Sequence, residues 1–198
     1  MAVEINVMTV FTLTLPHTLT LTDEQFFELC QNNRDYQFER TASGELIIMP
    51  PTGSETGRRN ARVTQRLLNW ADTDGTGVAF DSSTGFKLPN GAELSPDASW
   101  VKKERWEALT PEQQARFAPI CPDFVVELCS LSDSLEKTRA KMREYIDNGA
   151  RLGWMLNRKN QQVEIYRPST EVEILQSPTT ISGEDVLPGF VLNLKDIL

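Results

Sequence analysis

The sequence predicts a mixed α/β fold in one domain, and three observations carry that prediction. The run Phe124-Val125-Val126 is short, apolar and β-branched, and it reads as a buried strand. Two longer segments, about 55–71 and 135–148, space their apolar residues as helices do. Between residues 36 and 49, two strand-like runs flank Ala42-Ser43-Gly44, a hairpin composition. The chain has 198 residues, enough for one full core and too few for two comfortable ones. With no repeat, linker or low-complexity segment, the whole span 1–198 is read as one domain.

Residues 5–15 alternate in part and predict an early strand that ends at Pro16. Thr22-Asp23-Glu24-Gln25 is a capping box, and Phe26, Phe27 and Leu29 give the short helix behind it an apolar side. In the hairpin, Tyr36–Thr41 and Glu45–Met49 are the strands, and Pro50-Pro51 stops the second. Thr52 to Glu55 reads as another capping box, opening a helix to about Ala71. Strands are expected through Val78–Phe80 and Leu94–Val101, with a turn at Pro89-Asn90-Gly91 between them. Thr110-Pro111-Glu112 opens a short helix. Ser130–Ser134 offers several N-caps for the helix that ends at Asn148-Gly149. Residues 151–156 and 162–167 form a strand pair, Val172–Leu175 a further strand, and Leu192, Leu194, Ile197 and Leu198 dock the tail on the core.

Composition excludes several classes. Hydrophobic residues make up 39% and charged residues 24%, ordinary for a globular domain. No apolar run is long enough for a membrane span and no secretion pattern opens the chain, so the expected location is the cytoplasm, away from membranes. Cys30, Cys121 and Cys129 are an odd number without metal-ligand spacing, and His17 is the single histidine. A zinc centre or a histidine-based mechanism has almost no material. The net charge of −8 argues against broad attraction to nucleic acid but permits a local basic patch.

Glu127 is the first functional candidate, because a carboxylate closing a buried strand is costly unless paired or bound to a cation. Asp97, in the expected strand 94–101, meets the same objection. Two strand carboxylates converging on one point make a hard-oxygen site suited to Mg²⁺ (or Mn²⁺), able to serve phosphoryl chemistry. Such a site also needs a cation beside it. At about 100° per residue, Lys141 lies on the shoulder of the apolar face formed by Leu135, Met142, Tyr145 and Ile146, and Lys137 lies further towards water. Lys141 has the better reach. On the earlier helix, Arg59, Arg62 and Arg66 share a side, with Arg58 close by. That stripe reads either as a solvated face paired with Glu55 or as a phosphate-contacting face. Asp123 is expected to bond backbone N–H groups at the strand entrance, and Trp154 to lie in the core.

Several separated runs resemble the Uma2 family: Gly44-Glu45-Leu46-Ile47-Ile48-Met49-Pro50-Pro51-Thr52-Gly53, Ser95-Pro96-Asp97, Pro122-Asp123-Phe124-Val125-Val126-Glu127, Ser132-Asp133, Lys141-Met142-Arg143-Glu144-Tyr145, Gly149 and Trp154. The similarity runs from Leu21 to Phe190. That family is similar to the PD-(D/E)XK nucleases, which include restriction endonucleases. The resemblance implies a restriction-endonuclease-like core, a central mixed sheet flanked by helices, and a Mg²⁺-dependent endonuclease acting on DNA. Asp97 matches the Asp of the PD element and Glu127 the acidic residue of the (D/E)XK element. The lysine of that element would stand at position 129, where this chain has Cys129, and Lys141 matches a lysine displaced to the following helix. Glu55 falls where many nucleases of this fold carry an extra carboxylate, though capping accounts for it equally well. Since such nucleases often pair to cut both strands, the resemblance points to a homodimer by analogy. The competing reading is a catalytically weak nuclease-fold protein that binds nucleic acid or a partner protein.

Overall fold

The computed structural model describes residues 10–16, 19–130 and 133–198. Residues 5–9 of the expected first strand, His17, and Ser132 of the family motif lie outside them. The main body is a six-stranded mixed sheet in the order β11-β10-β9-β8-β7-β4. These strands are Glu173–Gln176, Gln162–Tyr166, Leu152–Asn157, Phe124–Cys129, Ala98–Lys102 and Gly77–Asp81. Neighbours run antiparallel except β8 and β9, which are parallel. Parallel strands need a crossover, and helix α5 (Leu135–Asp147) supplies it. A second, antiparallel sheet takes the order β1-β3-β2-β6-β5, from Phe11–Leu13, Leu46–Met49, Gln37–Arg40, Glu93–Leu94 and Phe86–Lys87. The last two strands, β12 (Thr180–Ser182) and β13 (Val191–Asn193), pair near the C-terminus.

Alternation along β8 divides the core. Phe124, Val126 and Leu128 join Val63, Leu67 and Ala71 of helix α2 (Ser54–Asp74), together with Leu192, Leu194 and Ile197 of the tail. Val125 and Cys129 join Met142 and Tyr145 of α5, together with Phe86 and Leu94 of the smaller sheet and Leu88 just after β5. Trp154 is buried among core residues and meets Phe124 edge-on. Helix α1 (Asp23–Asn32) starts with the expected capping box at Thr22, and α4 (Pro111–Gln114) with a similar one at Thr110. The short helix α3 (Lys103–Glu107) and the β12–β13 pair have no clear signature in the sequence.

Two expectations are corrected. The strand expected over 94–101 is broken: β6 ends at Leu94 in the smaller sheet and β7 begins at Ala98 in the larger. Pro96 has no N–H for a ladder, and Ser95-Pro96-Asp97 carries the chain from one sheet to the other. Asp97 therefore stands at the mouth of a strand and not inside one. The second capping box does not form. Gly53 is the N-cap of α2 and makes no side-chain cap bond, while Glu55 turns instead to Arg58 and Arg59, both at 3.3 Å.

The contact between β4 and β7 gives one stability prediction. A Cβ at Gly77 would stand 2.2 Å from the Trp100 indole, which is itself buried. Gly77→Ala is expected to cost about 1–3 kcal/mol, as overpacking does, read as an earlier urea midpoint with an unchanged slope.

Candidate active site

Glu127 sits on the α5 face of β8, buried at 8% exposure. The register that sets Ala98 opposite Val126 brings Asp97, one step earlier, beside Glu127. Asp97 is held at both oxygens: the Leu128 N–H donates to Oδ2 at 2.7 Å, and Asn60 Nδ2 of α2 donates to Oδ1 at 2.6 Å. From above, α5 sends Lys141 into the cluster. Its Nζ lies 2.8 Å from Glu127 Oε1, 2.7 Å from Glu39 Oε1 and 3.1 Å from the Ser95 carbonyl. An ammonium has three donors, and here three elements of the fold engage them. The Tyr145 hydroxyl, one turn on, also donates to Glu127 Oε1 at 3.3 Å. The structure thus brings Asp97, Glu127 and Lys141 together.

Lys141 reaches this point because α5 is fixed firmly. Ser134 caps its N-terminus. Arg139 Nε bonds both oxygens of Glu164 on β10 at 3.0 Å, and Tyr166 donates to the same carboxylate at 2.8 Å. Gly149, at φ 111°, turns the chain out of the helix towards β9. On β8, Cys129 lies on the same face as Glu127, where it packs in the α5 core. Burial raises its thiol to about 12, so position 129 contributes packing and Lys141 supplies the charge.

Glu39 was passed over as a site residue, yet it is among the most buried carboxylates, at 2% exposure. It comes from β2 of the smaller sheet and accepts the Ser95 N–H at 2.9 Å as well as the Lys141 ammonium. The objection that singles out Asp97 and Glu127, a charge within a strand, applies equally to Gln37-Phe38-Glu39-Arg40 and was the available signal.

Three carboxyl groups and one ammonium make a cluster with excess negative charge. Burial, helped by Asp97 and Glu39, outweighs the pull of Lys141 and leaves the Glu127 carboxyl pushed up to about 8. Asp97 is also raised, chiefly by burial, against the pull of the Leu128 N–H. Burial disfavours the Lys141 ammonium, but Glu127 and Glu39 outweigh it and hold the proton on.

The remaining candidates lie elsewhere. Glu55 is 63% exposed and makes its ion pairs with Arg58 and Arg59; the Arg58 guanidinium lowers its carboxyl. Arg59 donates to the carbonyl of Ile197 at 2.8 Å, and Arg66 to that of Asn193. These two arginines tie α2 to the C-terminal segment. Asp123 accepts the Lys102 N–H and the Arg105 guanidinium, both at 2.9 Å, a structural clasp at the strand entrance.

Among the described residues, no three carboxylate, cysteine or histidine side chains stand ready to ligate one ion, and no helix is long and apolar enough to cross a membrane. Asp97 and Glu127 still fit a hard cation. Mg²⁺ is commonly held by one or two carboxylates, with waters and substrate oxygens completing its shell, and the β7–β8 register sets these two carboxyls side by side.

A crystal structure from Anabaena variabilis, described as a "putative nuclease belonging to DUF820", shares this architecture with a TM-score of 0.72. The match covers 89% of this chain and 97% of that one at 19% identity, which establishes a common fold, a mixed sheet flanked by helices. The chain belongs to the Uma2 family, whose model, described as "Putative restriction endonuclease", matches residues 23–195. No curated protein matches.

Proposed function

We propose that this protein is a metal-dependent endonuclease that hydrolyses DNA phosphodiester bonds, with a PD-(D/E)XK-type site whose lysine has moved to the following helix. The observation that carries the reading is the approach of Lys141 to Glu127, beside Asp97, from a helix twelve residues beyond the usual lysine position at Cys129. In this reading Asp97 and Glu127 hold Mg²⁺ or Mn²⁺, which when bound supplies Lewis-acid charge at the phosphoryl oxygen. Asp97 keeps a fixed orientation because both its oxygens are gripped. Lys141 orients the attacking water and offsets the negative charge that grows on the phosphoryl group. To do so it exchanges one of its three acceptors, and the Ser95 carbonyl, the longest contact at 3.1 Å, is the one it gives up most cheaply. Glu39 keeps the ammonium in place throughout. Arg62 is the stripe residue left for backbone phosphates, since Arg58 pairs with Glu55 on the surface and Arg59 and Arg66 bond to the C-terminal segment. Cutting both strands of a duplex takes two such sites, so the reading includes a homodimer.

The full engagement of Lys141 by Glu127, Glu39 and Ser95 favours the second reading, a nuclease fold kept as a nucleic-acid- or protein-binding module. Supercoiled plasmid with Mg²⁺ or Mn²⁺ separates the two. Nicking is expected from the unaltered protein and is expected to vanish in Glu127→Ala. Cleavage that persists in that variant places the chemistry elsewhere. No cleavage, together with retained DNA binding, supports the module.

A further inference from the structure

We infer that Asn60 is a positioning residue for Asp97, an inference that rests on the metal-site reading above. The buried stripe of α2 runs Asn60, Val63, Leu67, Ala71, so an amide occupies a place that the spacing assigns to an apolar side chain. Asn60 is only 9% exposed, and among the described residues its Oδ1 finds no hydrogen-bond partner. A buried unpartnered carbonyl is a cost that leucine would not carry. Its counterpart is the Nδ2 donor, 2.6 Å from Asp97 Oδ1.

With the Leu128 N–H on Oδ2, this bond fixes the carboxylate from two sides, one donor from the sheet and one from the helix. A neutral donor does this without adding negative charge to a cluster that already holds three carboxyls. The amide orientation follows from its partner, since turning Oδ1 towards a carboxylate would set two acceptors face to face. Asn60 also lines an open groove of about 610 Å³ between α2 and the end of β4, with Gln65, Asn69, Asp81 and Ser82.

Asn60→Leu removes the donor and nearly keeps the shape. In the full chain, its Mn²⁺ dissociation constant measured by calorimetry is expected to rise about 10–100-fold, the usual consequence of losing a group that orients a ligand. Its metal-free melting temperature is expected to stay close to that of the unaltered protein, the relieved Oδ1 offsetting the bond lost at Asp97. A purely structural amide gives the opposite pattern, a lower melting temperature with unchanged Mn²⁺ affinity, and that result overturns the inference. If the leucine variant does not fold, Asn60→Ala reports the same constant. Failure of the unaltered protein to bind Mn²⁺ removes the metal-site reading and this inference together. Equal binding by both proteins removes the inference alone.

Discussion

Lys141→Met is expected to abolish cleavage and, near pH 8.5, to lower stability by about 3–5 kcal/mol, the usual cost of stripping one partner from a buried ion pair. Both Glu39 and Glu127 depend on this ammonium, and both are buried. The loss should shrink towards pH 6, where Glu127 takes up a proton and no longer needs a counter-charge. Adding Glu39→Gln to Lys141→Met removes one orphaned carboxylate and is expected to recover part of the stability with no recovery of activity. Guanidinium unfolding at the two pH values reads the first effect and plasmid nicking the second. A double variant that regains cleavage would show that Lys141 serves the fold and not the reaction.

Metal binding is expected to depend steeply on pH. The Glu127 carboxyl holds its proton up to about 8 in the folded protein, against an ordinary value of 4.5. Folding therefore takes up a proton between those values, so the metal-free protein loses stability as pH climbs from about 4.5 through about 8. A cation must displace that proton, and its affinity rises by up to roughly tenfold per pH unit until Glu127 is ionised, then levels. Between pH 6 and 8.5 the Mn²⁺ dissociation constant is thus expected to fall roughly 100-fold. Glu127→Gln should bind weakly with a much flatter profile. A slope that survives in that variant assigns the titration to another group.

Much of this site was legible in the sequence, for a physical reason. Glu127 stands out because a charged group after Phe124-Val125-Val126 contradicts the strand that holds it. Lys141 follows from its shoulder position on an amphipathic helix. Glu39 escaped because its partners come from residues 95 and 141, and no local pattern reports which face of a hairpin strand another sheet will cover. The same limit applies to Asp97, which was expected inside a strand over 94–101 and stands instead on the connector before β7. A proline that moves the chain between sheets looks, in one dimension, much like one within an edge strand. At Gly53 the structure replaced an expected side-chain cap, because Glu55 found two arginines within a turn.

The smaller sheet has a consequence for when the protein becomes competent. Its β2 contributes Glu39, the larger sheet contributes Glu127, the connector between the sheets contributes Asp97, and α5 contributes Lys141. Contacts so distant along the chain form late in folding, after the loops between them have closed. β8 also takes its inner place only beside β9, whose residues are synthesised after Lys141. A ribosome-bound chain ending before residue 152 therefore holds every proposed catalytic side chain and lacks the strand that seats Glu127 in the middle of its sheet. In the proposed reading, such a chain cannot cleave nucleic acid while it is being made, and cleavage begins only once both sheets are complete.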